Sequence, residues 1–136
     1  MFDCMIPISI GELLDKITIL EIKSQRIDDA DKLVNVRKEL ELLRDTWTGL
    51  GIERPETAEL MTRLKTVNEG LWEIEDKIRD HERVSDFGEE FVALARSVYV
   101  TNDQRATLKR DINVATGSAL MEEKSYRDYR GDSGEA

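Results

Sequence analysis

A run of apolar residues between positions 60 and 78 constrains the fold of this 136-residue chain more than any other feature. Successive members stand 4, 3, 4, 3 and 4 positions apart: Leu60, Leu64, Val67, Leu71, Ile74 and Ile78. Such heptad spacing is typical of a long helix that packs lengthwise against another helix in coiled-coil style. The run therefore predicts an all-α protein, an antiparallel helical bundle built on a long helical hairpin.

Two further helices are predicted before this run. Ser9 and Glu12 form a capping box, and the helix that begins there carries its apolar residues on one face. A second helix is predicted to begin near Lys32 and to end at the glycines of residues 49–51, and Pro55 opens the third. Because a short connection joins the second and third helices, we expect these two to form the hairpin.

After the run, residues 85–88 indicate a break, and a short fourth helix is expected over residues 87–98. A fifth helix is expected to begin at a cap supplied by Thr101, Asn102 or Asp103, which gives about five helices. The composition then turns polar. We predict a single helical domain over residues 1–126 and a flexible acidic tail over residues 127–136.

The charge balance excludes several classes of partner. The chain has 20 Lys and Arg residues against 29 Asp and Glu residues, a net charge of -9. Nucleic acids and anionic membrane surfaces bind through clustered cations, so neither is expected as a partner. Cys4 is the sole cysteine, and we find neither a secretory start nor an apolar run of the ~20 residues that cross a bilayer. These features predict a cytoplasmic protein.

Candidate site residues appear where the helical periodicity is broken. Glu21 lies on the apolar face of the first helix, and Glu75 lies on the core side of the third. A buried carboxylate without a donor is costly, so we expect these groups to meet cations from other helices. The cations that the periodicity places nearby are Arg79, Arg105 and Lys109.

Neutral side chains accompany these charges: Asn68, Trp72, Tyr99, Asn102 and Asn113. Trp72 and Tyr99 offer stacking surfaces, and Asn102 is expected at a helix start, where amides and the helix dipole favour anions. Two interpretations of the whole set stay open. It is either a structural ion-pair network at the edges of the bundle or a polar pocket that recognises a small anion.

The first helix has a second column roughly opposite its main apolar stripe, formed by Asp15, Ile19, Ile22 and Arg26. A helix with apolar residues on two sides is either central in a bundle or shared with another subunit. We predict that this column is the interface of a homodimer, since symmetric dimers are the commonest oligomers.

Signals for catalysis are weak in this sequence. The sole histidine, His81, has no recognisable partner. The pairs Glu12-x-x-Asp15 and Glu73-x-x-Asp76 have a spacing that suits magnesium, as in all-helical nucleotide pyrophosphohydrolases, but carboxylates away from apolar stripes usually solvate a helix. The catalytic residues and the cofactor therefore stay unknown, and no metal site is predicted.

Three segments together resemble an uncharacterised bacterial family, domain of unknown function 6165, over about residues 6 to 126. They are residues 7–23, residues 68–79, and residues 99–113 followed by Gly117-Ser118 and residues 122–126. The family has no established activity to carry over, although the resemblance suits a sugar-nucleotide or sugar-phosphate ligand. Its motifs coincide with the candidate site: Glu21, Asn68, Trp72, Glu75, Arg79, Tyr99, Asn102, Arg105, Lys109 and Asn113.

The preferred functional prediction is a small helical binding or assembly module that recognises a phosphorylated or otherwise anionic small molecule. In this prediction Arg105 and Lys109 neutralise the anion, Glu21 and Glu75 orient these cations, and an aromatic ring packs on the ligand. The alternative is an enzyme, either a metal-dependent phosphohydrolase or a sugar-nucleotide enzyme.

Overall fold

Four α-helices form the ordered elements of residues 1–131, the part of the chain described by the structure, which is a computed structural model. They are α1 (Ile10–Arg26), α2 (Ala30–Leu50), α3 (Pro55–Arg83) and α4 (Glu89–Thr116). No strand occurs in these residues. The predicted all-α class is confirmed, with four helices against the predicted number of about five.

Local sequence signals account for most of the helix ends. The Ser9 hydroxyl accepts a hydrogen bond from the Glu12 amide at 3.0 Å, as the capping box requires. Asp29 caps α2, which therefore begins two residues before the predicted start. Pro55 opens α3, and Gly51 ends α2 in the left-handed conformation with φ 65°, which glycine adopts without a steric penalty.

The predicted break near residue 101 does not occur, and α4 is one continuous helix. Its core-facing residues keep heptad spacing through that region, although Thr101 and Arg105 occupy two of the positions. Asn102 and Asp103 therefore lie inside a helix. The anion site that was predicted at a helix start there is wrong, because no free N-terminal amides exist at these positions.

The long hairpin is formed by α3 and α4, which pack against each other along their length, while α1 contacts each of the other three helices. The expected pairing of α2 with α3 is not observed. Within the described residues, no Cα atom of α2 comes within 8 Å of one in α3. The reason is that α1 packs against both helices and separates them.

The hydrophobic core surrounds α1. Its buried members come from all four helices: Leu13, Leu14, Ile17, Leu20, Val36, Leu40, Trp47, Leu60, Leu64, Leu108 and Ile112. The second apolar side of α1 is covered as well, since Ile22 is 1% exposed within a single copy. Of the two interpretations of this helix, the central position in the bundle is the one observed.

The distal halves of α3 and α4 extend beyond the end of α1, and we call residues 72–99 the arm. Arg26, at the end of α1, lies beside Glu69 and Glu73. No residue between positions 69 and 107 is buried, so the apolar residues that join the two helices of the arm are half-exposed. The arm is a two-helix coiled coil without a third helix to cover it.

The segment after α4 returns along that helix. Lys124 forms an ion pair with Asp103, and the rings of Tyr129 and Tyr99 lie 4.7 Å apart. The predicted tail begins within this segment, and its residues 132–136 lie outside the described residues. No helix of the described chain is long and apolar enough to cross a membrane.

Candidate functional site

A buried carboxylate joins the three helices at the base of the arm. Asp15 of α1 is 1% exposed, and its Oδ1 accepts hydrogen bonds from Asn68 Nδ2 of α3 at 3.0 Å and from Arg105 Nε of α4 at 2.9 Å. Asn68 Nδ2 also lies 3.0 Å from the hydroxyl of Thr18. The carboxylate is therefore paired with a cation and hydrogen-bonded, as burial of a charge requires.

Arg105 is held by two of its nitrogens. Its Nε and Nη2 atoms donate to the two oxygens of Asp15 in a bidentate arrangement. These hydrogen bonds raise the pKa of Arg105 above its ordinary value, although burial acts in the opposite direction. The Nη1 group makes no hydrogen bond within residues 1–131 and is not fully buried. Arg105 thus keeps two N–H donors for another partner.

The N-terminal end of α1 is bound to α4 and to the returning segment. The Asn113 side chain accepts a hydrogen bond from the Gly11 amide at 2.6 Å and donates to Glu122 at 2.9 Å. The Glu122 carboxylate also accepts from the Ser9 hydroxyl. Burial favours the neutral acid, but the hydrogen bonds from Ser9, from its own amide and from Asn113 together lower the pKa of Glu122.

A groove of about 490 Å³ lies at the base of the arm between α1, α3 and α4. Its lining combines apolar, amide and charged side chains: Ile19, Ile22, Lys23, Asn68, Leu71, Trp72, Glu75, Asp76, Arg79, Asn102 and Arg105. The groove is open to solvent along the arm. It therefore offers the aromatic ring of Trp72, the side-chain amides of Asn68 and Asn102, and Arg105, whose orientation is fixed by its hydrogen bonds to Asp15.

Six of the ten residues predicted for the site line this groove: Asn68, Trp72, Glu75, Arg79, Asn102 and Arg105. Glu75 does pair with Arg79, one helical turn further along α3. Asn102 reaches the groove from the middle of α4 and not from a helix start.

The other four predicted residues lie elsewhere. Glu21 faces α2, where its Oε2 lies 3.0 Å from Arg44 Nη2, so its expected pairing with Arg105 or Lys109 is wrong. Lys109 Nζ lies 2.6 Å from Glu12 Oε2 and is therefore already neutralised. Asn113 is buried where α4 meets the start of α1, and Tyr99 lines a second groove, between α4 and the returning segment, that shares Asn102 and Arg105 with the first.

The predicted interface column is divided by the fold. Asp15 and Ile22 are 1% exposed within a single copy, so neither can form an exposed interface, because α3 and α4 cover them. Ile19 and Ile22 contribute to the groove, and Arg26 lies at the end of α1 beside Glu73.

Sequence reasoning missed Asp15 as the centre of the site, together with Thr18 and Gly11. A signal for Asp15 was present, since an aspartate in an otherwise apolar column needs a buried cation. Arg105 occupies a core position in the heptad pattern of α4, which is the complementary signal. A Cβ on Gly11 would lie 2.9 Å from Asn113 Oδ1 and closer still to the carbonyl oxygen of Lys109, so this position accommodates the approach of α4.

Three of the four carboxylates considered for magnesium are engaged in ion pairs. Glu12 holds Lys109, Asp15 holds Arg105, and Glu73 lies 3.5 Å from Arg26. Within residues 1–131, no three His, Cys, Asp or Glu side chains converge as a metal centre would require.

Comparison with known proteins supports the resemblance seen in the sequence. A family model described as a family of unknown function (DUF6165) matches residues 4–131. No curated protein and no solved structure matches the chain.

Proposed function

The chain belongs to this family of unknown function, and we propose from its own geometry that it is a cytoplasmic, dimeric binding module. Its groove binds a small molecule that carries one anionic group, a phosphate or a carboxylate. The observation that carries this proposal is Arg105, which lines the groove, is fixed by Asp15 through Nε and Nη2, and has no hydrogen-bond partner for its Nη1 group within residues 1–131. A donor that is already oriented loses little entropy when it binds an oxyanion.

The remaining lining suits a ligand with a ring. Trp72 supplies an aromatic face, and Asn102 supplies an amide that binds hydroxyl or carbonyl groups. The Nδ2 group of Asn68 already donates to Asp15 and Thr18, so Asn68 offers only its carbonyl oxygen, as an acceptor for a hydroxyl. Lys23, Arg79 and Arg105 line the groove with Glu75 and Asp76, and Asp15 lies against Arg105, so three positive charges balance three negative ones. This balance favours a single anionic group over a polyanion.

The test is the thermal unfolding of the purified chain against inorganic phosphate, sugar phosphates, nucleoside monophosphates and small carboxylates, each with and without magnesium. Binding to the folded state adds about 2.7 kcal/mol when the ligand is at 100 times its Kd, which raises Tm. Trp72→Ala and Arg79→Met should remove most of this stabilisation while the helical content is retained.

Arg83→Met is the matched control for Arg79→Met. Arg83 lies one turn further along α3, is 80% exposed and does not line the groove, so its removal should leave the ligand response unchanged. A Tm that does not respond to any member of the panel would defeat the proposal. If Arg83→Met loses as much of the ligand-induced rise in Tm as Arg79→Met does, the loss is a nonspecific effect of net charge.

The enzyme alternative shares this site and differs in its product. A phosphohydrolase would release phosphate from the sugar phosphates or nucleotides in the presence of magnesium, whereas a binding module returns them unchanged. The ion pairs that hold Glu12 and Asp15 favour the binding module, because both carboxylates would have to leave their cations to bind a metal.

A further inference from the structure

One face of the arm, continuous with the groove, is covered by no other helix of the chain, and only residues 126–129 lie beside it, near Ala95 and Tyr99. On α3 this face carries Trp72, Glu75 and Arg79, at helical spacings of three and four residues. On α4 it carries Val92, Ala95 and Tyr99 at the same spacings, and Asn102 continues that line into the groove. Val92 is 51% exposed and Tyr99 is 41% exposed, which is high for large apolar side chains on a packed helix.

Two contacts fix the register between the helices of the arm. The rings of His81 on α3 and Phe91 on α4 lie 6.3 Å apart near the tip. At the base, Asp15 bonds to both Asn68 and Arg105, which are therefore level with each other. Since α3 and α4 run antiparallel with this register, the midpoint between Glu75 and Arg79 lies level with Ala95.

We propose that a second copy of the chain docks on this face and closes the groove, related by a two-fold axis that passes level with Ala95. Such an axis pairs each position with its mirror position along the arm. Glu75 then faces Arg79 of the second copy, and Val92 faces Tyr99 of the second copy. The charged pair and the apolar pair share one centre, so the face is complementary to itself in charge and in hydrophobicity.

The same axis brings the tip of one arm over the groove of the other copy. Phe87, 52% exposed at the tip, comes level with Asn102 of the second copy, beside its Trp72 and Arg105. The second copy thereby supplies the missing wall of the groove. This closing of the groove rests on the proposed binding function, whereas the pairing of the arms is measurable without any ligand.

The decisive experiment exchanges charges across the axis. Arg79→Glu gives a face with two acidic positions, and Glu75→Arg gives a face with two basic positions. Like charges across an interface weaken binding, so each variant alone should raise the dissociation constant of the dimer by roughly 100-fold and sediment as a monomer. An equimolar mixture should sediment as a heterodimer, because each acidic position then faces a basic one.

Lys77→Glu, at an exposed position on the opposite side of the same helix, should leave the wild-type mass unchanged, and circular dichroism checks that every variant retains its helices. An ion pair that acts within one chain cannot be restored by mixing two damaged copies. A mixture that remains monomeric, or a wild-type chain that is monomeric throughout the micromolar range, overturns the pairing.

Val92→Lys separates the two claims, because Val92 lies on the docking face and does not line the groove. It should yield a monomer and weaken the binding of inorganic phosphate about 10-fold, whereas Val34→Lys on α2, where Val34 is 65% exposed, should change neither. A Val92→Lys monomer that binds phosphate as tightly as wild type overturns the closing of the groove and leaves the proposed function intact. A wild-type dimer that binds no member of the panel overturns the proposed function and leaves the pairing of the arms intact.

Discussion

Asp15 is the residue through which α1, α3 and α4 are joined. Its carboxylate is 1% exposed and is bonded to Asn68 and to Arg105, while Lys109 Nζ stands 4.0 Å away. Burying a carboxylate is unfavourable by itself, and the arrangement is stable because its lone pairs are occupied by donors from two other helices. The same bonds set the direction of the arginine in the groove, so structure and proposed binding depend on one pair.

Removing the cation of this pair should be far more costly than removing a surface cation. Arg105→Met leaves Asp15 buried without its main partner and should lower the free energy of unfolding by about 3–5 kcal/mol in urea titrations. Arg44→Met, which breaks the exposed pair with Glu21, should cost less than about 1 kcal/mol.

A double variant, Asp15→Asn with Arg105→Met, distinguishes the lost pair from lost packing. It removes the buried charge together with its partner, and so it should recover most of the stability lost in Arg105→Met. Equal costs for the single and the double variant would contradict this account.

At the scale of helices, the approach of α1 to α4 depends on the absence of a side chain at one position. Gly11 lies where a Cβ would meet the backbone carbonyl of Lys109 and the side chain of Asn113. Backbone carbonyl groups cannot rotate away as a flexible side chain can. The first turn of α1 is therefore held against α4 by a hydrogen bond from the Gly11 amide and by close packing.

Gly11→Ala should lower the free energy of unfolding by about 1–3 kcal/mol, because the added methyl group forces the two helices apart. The matched control is Gly70→Ala in the middle of α3, where a Cβ would meet nothing within 4 Å. Alanine has the higher helix propensity, so this second change should stabilise the chain by about 0.5–1 kcal/mol. Chemical denaturation measures the change in unfolding free energy for both variants. A change of the same sign in both would refute the close approach of α4 at Gly11.

At the scale of the whole molecule, the two ends of the described chain are joined. The Glu122 carboxylate accepts hydrogen bonds from Ser9, just before α1, and from Asn113 near the end of α4. Because these bonds favour the ionised form, the folded protein lowers the pKa of Glu122 from its ordinary value of 4.5. The returning segment is thereby tied to the start of the bundle by a group that titrates in acid.

The contribution of Glu122 to stability should depend on pH with a definite sign. A depressed pKa in the folded state means that the contribution is present above pH 4.5 and is lost as the pH falls through the lower, folded value. The difference in unfolding free energy between wild type and Glu122→Gln should therefore shrink on acidification below that point. Glu123→Gln, whose side chain is 78% exposed, should show no such trend.

The fold class followed from the sequence because single-helix signals are local. The heptad run at Leu60–Ile78, the Ser9 cap and Pro55 each act within a few residues, and each appears in the structure as predicted. Periodicity shows which face of a helix is apolar but not which helix covers it. The partner of α3 was therefore assigned to α2 although it is α4, which the continued heptad through Arg105 could have indicated.

The site was predictable in part for the same reason. The residues on the inner edge of α3 were recognised because a polar side chain beside an apolar stripe is conspicuous within one helix. Glu21 and Lys109 were misplaced because their partners, Arg44 and Glu12, are distant in sequence. Asp15 was assigned to a dimer interface because its actual partner, Arg105, lies 90 residues later.

The central position of α1 also determines when the protein can assemble during synthesis. This helix is made first among the four, yet Gly11 bonds to a residue 102 positions further along the chain. At translation rates of 5–20 residues per second, roughly 4 to 17 s separate the completion of α1 from the synthesis of its docking surface on α4. During that interval the apolar residues of α1 that pack on α4 have no α4 to cover them, so apolar surface stays exposed on the nascent chain.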